Sequence, residues 1–319
     1  METGDCIKFL GTAGARYVVL KQLRSSAGTY LSINGRGIIL DPGPGTLVRC
    51  AASRPRIEGK DIDAIILSHT HIDHSTDINV MIELMTDGGF TKRGSLFVPE
   101  EALSGDAPVV LNYVRQFVER IEILKADAEY TIRPAAPLKA TPHSAAPAPS
   151  AVESSTDDDE GYAPPAGARR THSHEPGAPC HFRTHGRHHH TTETYGFTFS
   201  SQEGPVSFVV DTLFFPKLCE WYAGSAVLVV NLVRMVRHES DKVMHLTYDD
   251  ARTLISSIRP RLAVITHFGM TMLKAKPWEV AKKLSDETGV EVIAASDGKT
   301  VELGKRETPP EAPQADMFQ

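Results

Sequence analysis

The stretch AIILSHTHIDH, residues 64 to 74, runs from four apolar residues directly into three imidazoles and a carboxylate. The short apolar run with its polar boundary predicts a buried strand over Ala64–Leu67. His69, His71, Asp73 and His74 follow just past its end, a concentrated set of donors suited to zinc or a similar divalent ion. If the extended backbone continues, His69 and His71 share one side, because side chains alternate with period two. A helix beginning after His74, capped by Ser75 or Thr76, turns Asp73 and His74 toward a second ion close by. The positive end of that helix faces the same place and favours an anionic substrate group.

Moving outward, short apolar runs alternate with helical patterns. Strands are expected at Ile7–Leu10, Thr29–Ile33, Gly37–Leu40, Ser95–Val98, Tyr195–Phe199, Val206–Val210, Ala226–Val230, Leu262–Thr266 and Val290–Ala294. Helices are expected at Thr76–Met85, where Ile78, Met81, Ile82 and Met85 recur at helical spacing, and at Pro108–Glu119, Thr247–Ser257 and Pro277–Thr288. The mixture suggests an α/β protein of sheets packed together with helices outside. No short-period repeat stands out.

Composition changes sharply between Pro134 and His190. Nine of the 21 prolines fall between Pro134 and Pro179, near the acidic run at 157 to 160 and the tract RTHGRHHH at 183 to 190. Val152, Tyr162 and Phe182 offer too little apolar burial to offset the entropy of ordering that length, so 144 to 191 reads as a disordered insertion. It holds seven histidines and Cys180, which suits either a plain linker or a metal-gathering tract. Residues 1 to 143 with 192 to 306 then form one domain, and 307 to 319 a flexible tail.

The remaining composition narrows the class. The 319 residues are 41% hydrophobic, enough for a large core. No apolar run is long enough to span a bilayer, and METGDCIKFL lacks the pattern of a secretory signal, so the expectation is a cytoplasmic protein. A net charge of −6 disfavours a surface wholly devoted to nucleic acid, though a local basic groove is compatible with it. Cys6, Cys50, Cys180 and Cys219 have no CxxC spacing, so neither a disulfide framework nor a cysteine zinc ribbon is expected.

In its motifs the chain resembles the metallo-β-lactamase-fold hydrolases, and within them the ribonuclease Z-like phosphodiesterases. The resemblance rests on Phe9-Leu10-Gly11-Thr12-Ala13-Gly14, on Asp41-Pro42-Gly43-Pro44-Gly45, on the HxHxDH at 69 to 74, and on Thr141-Pro142-His143-Ser144. Val209-Val210-Asp211-Thr212 and Ile265-Thr266-His267-Phe268 complete it, in the expected order. It implies an αββα sandwich with a two-metal site, in which His69, His71 and His143 hold one ion, Asp73, His74 and His267 the other, and Asp211 bridges them. Asp41 would orient the HxHxDH loop. His245, in His245-Leu246-Thr247, would bind phosphate and protonate the leaving oxygen, working with Asp73 in catalysis. His143, Asp211 and His267 each also close an apolar, strand-like run, so ligands would converge where strands finish.

The implied function is metal-dependent hydrolysis of a phosphodiester, RNA or a small or cyclic phosphate, by metal-activated water. The implied ions are two, zinc before manganese or iron, and the implied assembly is a homodimer. The Gly-Pro arm of tRNA-processing relatives is not seen, so a tRNA substrate rests on analogy alone. Two other readings stand beside it: a thioester or lactone hydrolase of the glyoxalase kind, which shares HxHxDH, and a metal-binding scaffold without turnover. No G-x-S-x-G elbow or Walker loop supports a serine hydrolase or a nucleoside-triphosphatase.

Overall fold

The computed structural model describes residues 4–139, 179–240 and 242–304. Two seven-stranded sheets form the middle layers. The first takes β1 (Cys6–Phe9), β2 (Thr29–Ile33), β3 (Arg36–Leu40), β4 (Ala64–Ile66), β5 (Arg93–Val98) and β6 (Val118–Ile123). The second takes β7 (Glu129–Ile132), β8 (Cys180–Thr184), β9 (Phe197–Phe199), β10 (Val206–Val209), β11 (Val227–Asn231), β12 (Leu262–Thr266) and β13 (Glu291–Ala294). The chain then returns to the first sheet, where β14 (Thr300–Glu302) pairs antiparallel with β1.

Each sheet has an antiparallel part and a parallel part. β3, β4, β5 and β6 run parallel, and so do β10, β11, β12 and β13. Parallel strands finish on one side, so the carboxyl ends within each set gather at a common edge, the place where open α/β sheets characteristically present their ligands.

Between the sheets lies an apolar core that includes Phe9, Leu31, Ile66, Phe97, Phe182, Phe197 and Val229. Helices cover both outer faces. The helices are α1 (Ala15–Leu20), α2 (Thr46–Ala52), α3 (Ile72–Ser75), α4 (Ile78–Thr86) and α5 (Asn112–Arg115). They continue with α6 (Lys217–Trp221), α7 (Tyr248–Ile258), α8 (Met270–Lys274) and α9 (Pro277–Thr288). α4 buries Ile78, Met81, Ile82 and Met85 against the first sheet. Leu254 and Ile255 of α7 and Leu284 of α9 do the same on the second. This is the expected αββα sandwich.

Three expectations need correction. Pro108–Glu119 is not one helix: after the single turn α5 the chain enters β6, where Val118, Ile121 and Ile123 add a β-branched edge strand to the sheet. Ser75 and Thr76 do not cap a helix starting behind them, because α3 begins at Ile72 and their hydroxyls bond back to carbonyls at Thr70, His71 and Ile72. The end of the expected insertion is ordered. Cys180, Phe182 and Thr184 point inward from β8 while His181 and Arg183 point out, and residues 185 to 191 lead from that strand to the site. The remaining insertion residues 144–178 and the tail lie outside the described residues.

Candidate metal centre

The loop after β4 is held by a carboxylate at the end of β3. Asp41 accepts from the Ser68 amide at 2.6 Å and the Ser68 hydroxyl at 2.7 Å, and its Oδ2 lies 3.0 Å from Nδ1 of His74. Ser68 Oγ is in turn 2.9 Å from Nδ1 of His69. A hydroxyl that donates to Asp41 can accept from His69, so both imidazoles carry their proton on Nδ1 and turn Nε2 inward. Asp41 adopts φ 51°, in the left-handed region.

Two glycines let the neighbouring loops close in. A Cβ on Gly14 would stand 2.1 Å from the His267 carbonyl oxygen, and one on Gly43 would stand 2.0 Å from that of Asp73. Both positions therefore exclude any larger residue without backbone movement. The Gly14 loop is tied to the segment after β12 by Phe268 N to Thr12 O at 2.8 Å and Gly14 N to Phe268 O at 3.0 Å.

The structure brings His69, His71, Asp73, His74, Asp211 and His267 together. His69 Nε2 lies 3.2 Å from His71 Nδ1, and His74 Nε2 lies 3.3 Å from His267 Nε2. Asp211, at the end of the β10 run, places Oδ2 3.6 Å from His74 Nε2 and 3.5 Å from His267 Nε2. Asp73 Oδ2 is 3.7 Å from His267 Nε2. His143 lies outside the described residues. Beside His69 and His71 stands instead His190, whose Nε2 is 3.1 Å from His71 Nδ1.

Three groups of donor atoms result, each within 4.8 Å of one another: His69, His71 and His190; His69, His74 and Asp211; and Asp73, His74 and His267. Imidazole and carboxylate donors packed this closely, with few hydrogens to share among them, fit a divalent ion well. Burial opposes a proton on His74, but Asp73, Asp211 and Asp41 outweigh it and raise its pKa well above the usual range. Burial and the neighbouring His74 push His69 well below. Burial also opposes ionisation of Asp211, yet His267 and His245 hold its carboxyl well below the ordinary value. Such opposed shifts mark a site that has been assembled for charge.

His245 sits at the same edge, three residues ahead of the first residue of α7. Thr247 caps that helix reciprocally with Asp250, which fixes the approach of the chain. The His245 Nδ1 lies 3.5 Å from Asp211 Oδ2 and is buried without a hydrogen-bond partner. Its ring is 5.4 Å from that of His190. Burial holds its pKa below the usual range despite the attraction of Asp211.

Four contributors escape the motif reading. His190 lies in the histidine tract between β8 and β9, six residues past the end of β8 and next to no strand, unlike His267, which directly follows β12. Ser68 relays Asp41 to His69. Asn231, at the end of β11, donates to Asp211 Oδ1 at 2.9 Å and so leaves Oδ2 to the imidazoles. Thr191 Oγ1 lies 3.2 Å from His71 Nε2. Of the other histidines once grouped with the insertion, His185 and His188 are buried against Thr198 and Tyr222, His181 meets Thr131, and His189 stacks on Phe215.

This fold and this edge define a class. The β-lactamase superfamily domain matches residues 36–268, and the chain belongs to that family. An uncharacterised protein of Methanocaldococcus jannaschii is 29% identical over 93% of this chain and 94% of its own. The ribonuclease Z of Clostridium botulinum is 32% identical over 39% of this chain and 38% of that enzyme's length. Among solved structures, the metallo-β-lactamase-fold protein YhfI of Bacillus subtilis superposes with a TM-score of 0.64 at 12% identity, covering 94% of this chain and 99% of that one. Human tRNase Z, short form, gives 0.57 at 14% identity, covering 93% and 99%. Among the described residues no helix is long and apolar enough to cross a membrane.

Proposed function

We propose that this protein is a phosphodiesterase that works with two divalent metal ions, on RNA or on a small or cyclic phosphodiester. The supporting observation is the convergence of His69, His71, His190, Asp73, His74 and His267 around Asp211. His69, His71 and His190 would hold one ion and Asp73, His74 and His267 the other, with Asp211 shared. His190 replaces His143 in this assignment. The nitrogen-rich donor set favours zinc, with manganese or iron as alternatives. Ions bound there supply Lewis acidity toward a phosphoryl oxygen and acidify water near neutral pH.

The chain's own groups do the rest. Asp41 and Ser68 fix the tautomers of His74 and His69, so that lone pairs and not N–H groups face the centre. Asn231 holds one oxygen of Asp211 and thereby orients the other. His245 is the proton donor to the departing alkoxide: an imidazole kept below its usual pKa by burial releases a proton readily, and the negative charge of a bound phosphate favours its protonated form beforehand. The partial match to ribonuclease Z supports the phosphodiester class and an RNA partner, while a homodimer rests on the motif resemblance alone.

Metal analysis of the purified protein, followed by parallel assays on bis(p-nitrophenyl) phosphate, a precursor tRNA, a 2′,3′-cyclic nucleotide and a thioester, tests the assignment. We expect turnover of at least one phosphodiester that depends on metal. Turnover of the thioester alone overturns it, as does a His245→Ala protein that keeps both its metal and full activity.

A further inference from the structure

A second polar cleft, of about 210 Å³, opens on the outer face of the first sheet. Its walls are Lys8 on β1, Arg49 on α2, Ser53 and Arg54 just past α2, with Leu10 and Gly298 opposite. Three of these residues are cations, and no carboxylate lines the cleft. Lys8 is only 8% exposed, because strand alternation turns it outward beneath α2 while Ile7 and Phe9 enter the core. Its ammonium reaches neutral acceptors alone, the Arg54 carbonyl at 3.2 Å and Thr300 Oγ1 at 3.4 Å. Arg49 spends its Nε on the Leu10 carbonyl at 3.0 Å. Its Nη2 lies beside Gly298, where an ideal Cβ would stand 3.6 Å away. Arg54 Nη1 makes two long bonds, to the Ala52 and Ser53 carbonyls at 3.3 and 3.2 Å. Among the described residues none of the three forms an ion pair within 4.0 Å.

A buried ammonium without a counter-charge is costly, and two guanidinium groups at the same cleft add mutual repulsion. An anion relieves both. Donors arriving from three separate elements suit a tetrahedral oxyanion, whose oxygens point several ways, better than a planar carboxylate with two. The single hydroxyl hydrogen of Ser53 is already taken up between the Cys50 and Pro55 carbonyls, so recognition here is by charge and not by its hydroxyl. We propose that this cleft is a binding site for a phosphate group, separate from the candidate metal centre. The two are neighbours through the chain: Leu10 lines this cleft, and the next residue, Gly11, lines the cavity that holds Asp73, His74 and His267. A phosphate held here belongs either to free inorganic phosphate or to a nucleotide of a polynucleotide lying across the edge of the sheet.

Calorimetric titration of the metal-loaded protein with inorganic phosphate tests the site without reference to which ester is cleaved. Because phosphate also has affinity for bound metal, two classes of binding are expected in the parent protein. Arg49→Gln, at a half-buried position, combined with Arg54→Gln, at an exposed one, should weaken one class tenfold or more and leave the other in place, with circular dichroism checking the fold. Lys8→Met should do the same, with circular dichroism checking that it folds. If the polynucleotide is the source, the double variant raises KM for an oligoribonucleotide about tenfold and makes its salt dependence shallower. If the source is free phosphate, only the phosphate titration changes. Parent and double variant binding phosphate with the same stoichiometry and affinity overturns the proposal. Intact phosphate binding with no phosphodiester turnover would instead sink the assigned reaction and leave this site standing.

Discussion

Asp41→Asn changes almost nothing in shape and, on the present reasoning, a great deal in metal affinity. Asp41 accepts three contacts, at 2.6, 2.7 and 3.0 Å, and two of them fall on Oδ2. If the asparagine keeps its oxygen opposite the Ser68 amide, its NH2 faces Ser68 Oγ and His74 Nδ1. Ser68 must then accept from it and donate onward to His69, and His74 Nδ1 must accept as well. Both imidazoles change tautomer, and each presents N–H where a lone pair was. The flipped amide is worse, because its NH2 would face the Ser68 N–H at 2.6 Å. Losing two charge-assisted bonds, at about 1.5–3 kcal/mol each before relaxation, predicts a loss of stability of about 2–4 kcal/mol. Partners of this kind affect metal affinity by about 10–100-fold each, and two ligands are disturbed, so a loss of at least about 100-fold in zinc affinity is expected. Zinc titration against a competing chelator, with urea unfolding alongside, measures both. Affinity within threefold of the parent would refute the tautomer argument.

Other outcomes follow from the same geometry. His190→Ala should lose one of two bound metal equivalents by elemental analysis, whereas His143→Ala should retain both. Lys139, four residues before His143, bonds to Thr91 near the start of β5, the end of that strand away from the centre, and the reverse result would restore His143 as ligand. His185 supplies a pH dependence: burial pushes its pKa down to about 4, so the folded protein resists a proton that the unfolded chain accepts below about 6.5. Its contribution is complete above pH 6.5 and falls away toward pH 4, amounting to about 2 kcal/mol lost between pH 7.5 and 5. Urea midpoints at the two pH values should therefore diverge less in His185→Leu than in the parent, and equal divergence would assign the acid sensitivity elsewhere.

The strands were readable because most carry β-branched residues between turn signals, and Thr29–Ile33 and Leu262–Thr266 match residue for residue. The gathering of the HxHxDH residues, Asp211 and His267 at one edge is readable because donor-type side chains and strand ends coincide. Local composition misled at 180 to 190. The inward Cys180, Phe182 and Thr184 with outward His181 and Arg183 form a period-two pattern, but the surrounding proline and histidine content outweighed it. His190 was lost with that strand. Ser68 and Asn231 carry no chemical signal of their own, and only the meeting of β3, β4, β10 and β11 gives them a role. The Pro108–Glu119 region has an apolar spacing compatible with a helix, yet pairing with β5 draws Val118–Ile123 into the sheet, a tertiary preference that periodicity does not register.

Ile132 and Cys180 are cross-strand partners, although 47 positions separate them along the polypeptide between 132 and 180. Whatever lies between leaves and re-enters the second sheet at adjoining points, and β8 then runs away from those points toward His190. Closing such a connection becomes only slowly costlier as it lengthens. Beyond Lys139, whose amide ties the connection to Thr91, the junction is thus a natural port for engineering, where a reporter protein can be spliced in at the rim remote from the candidate metal centre.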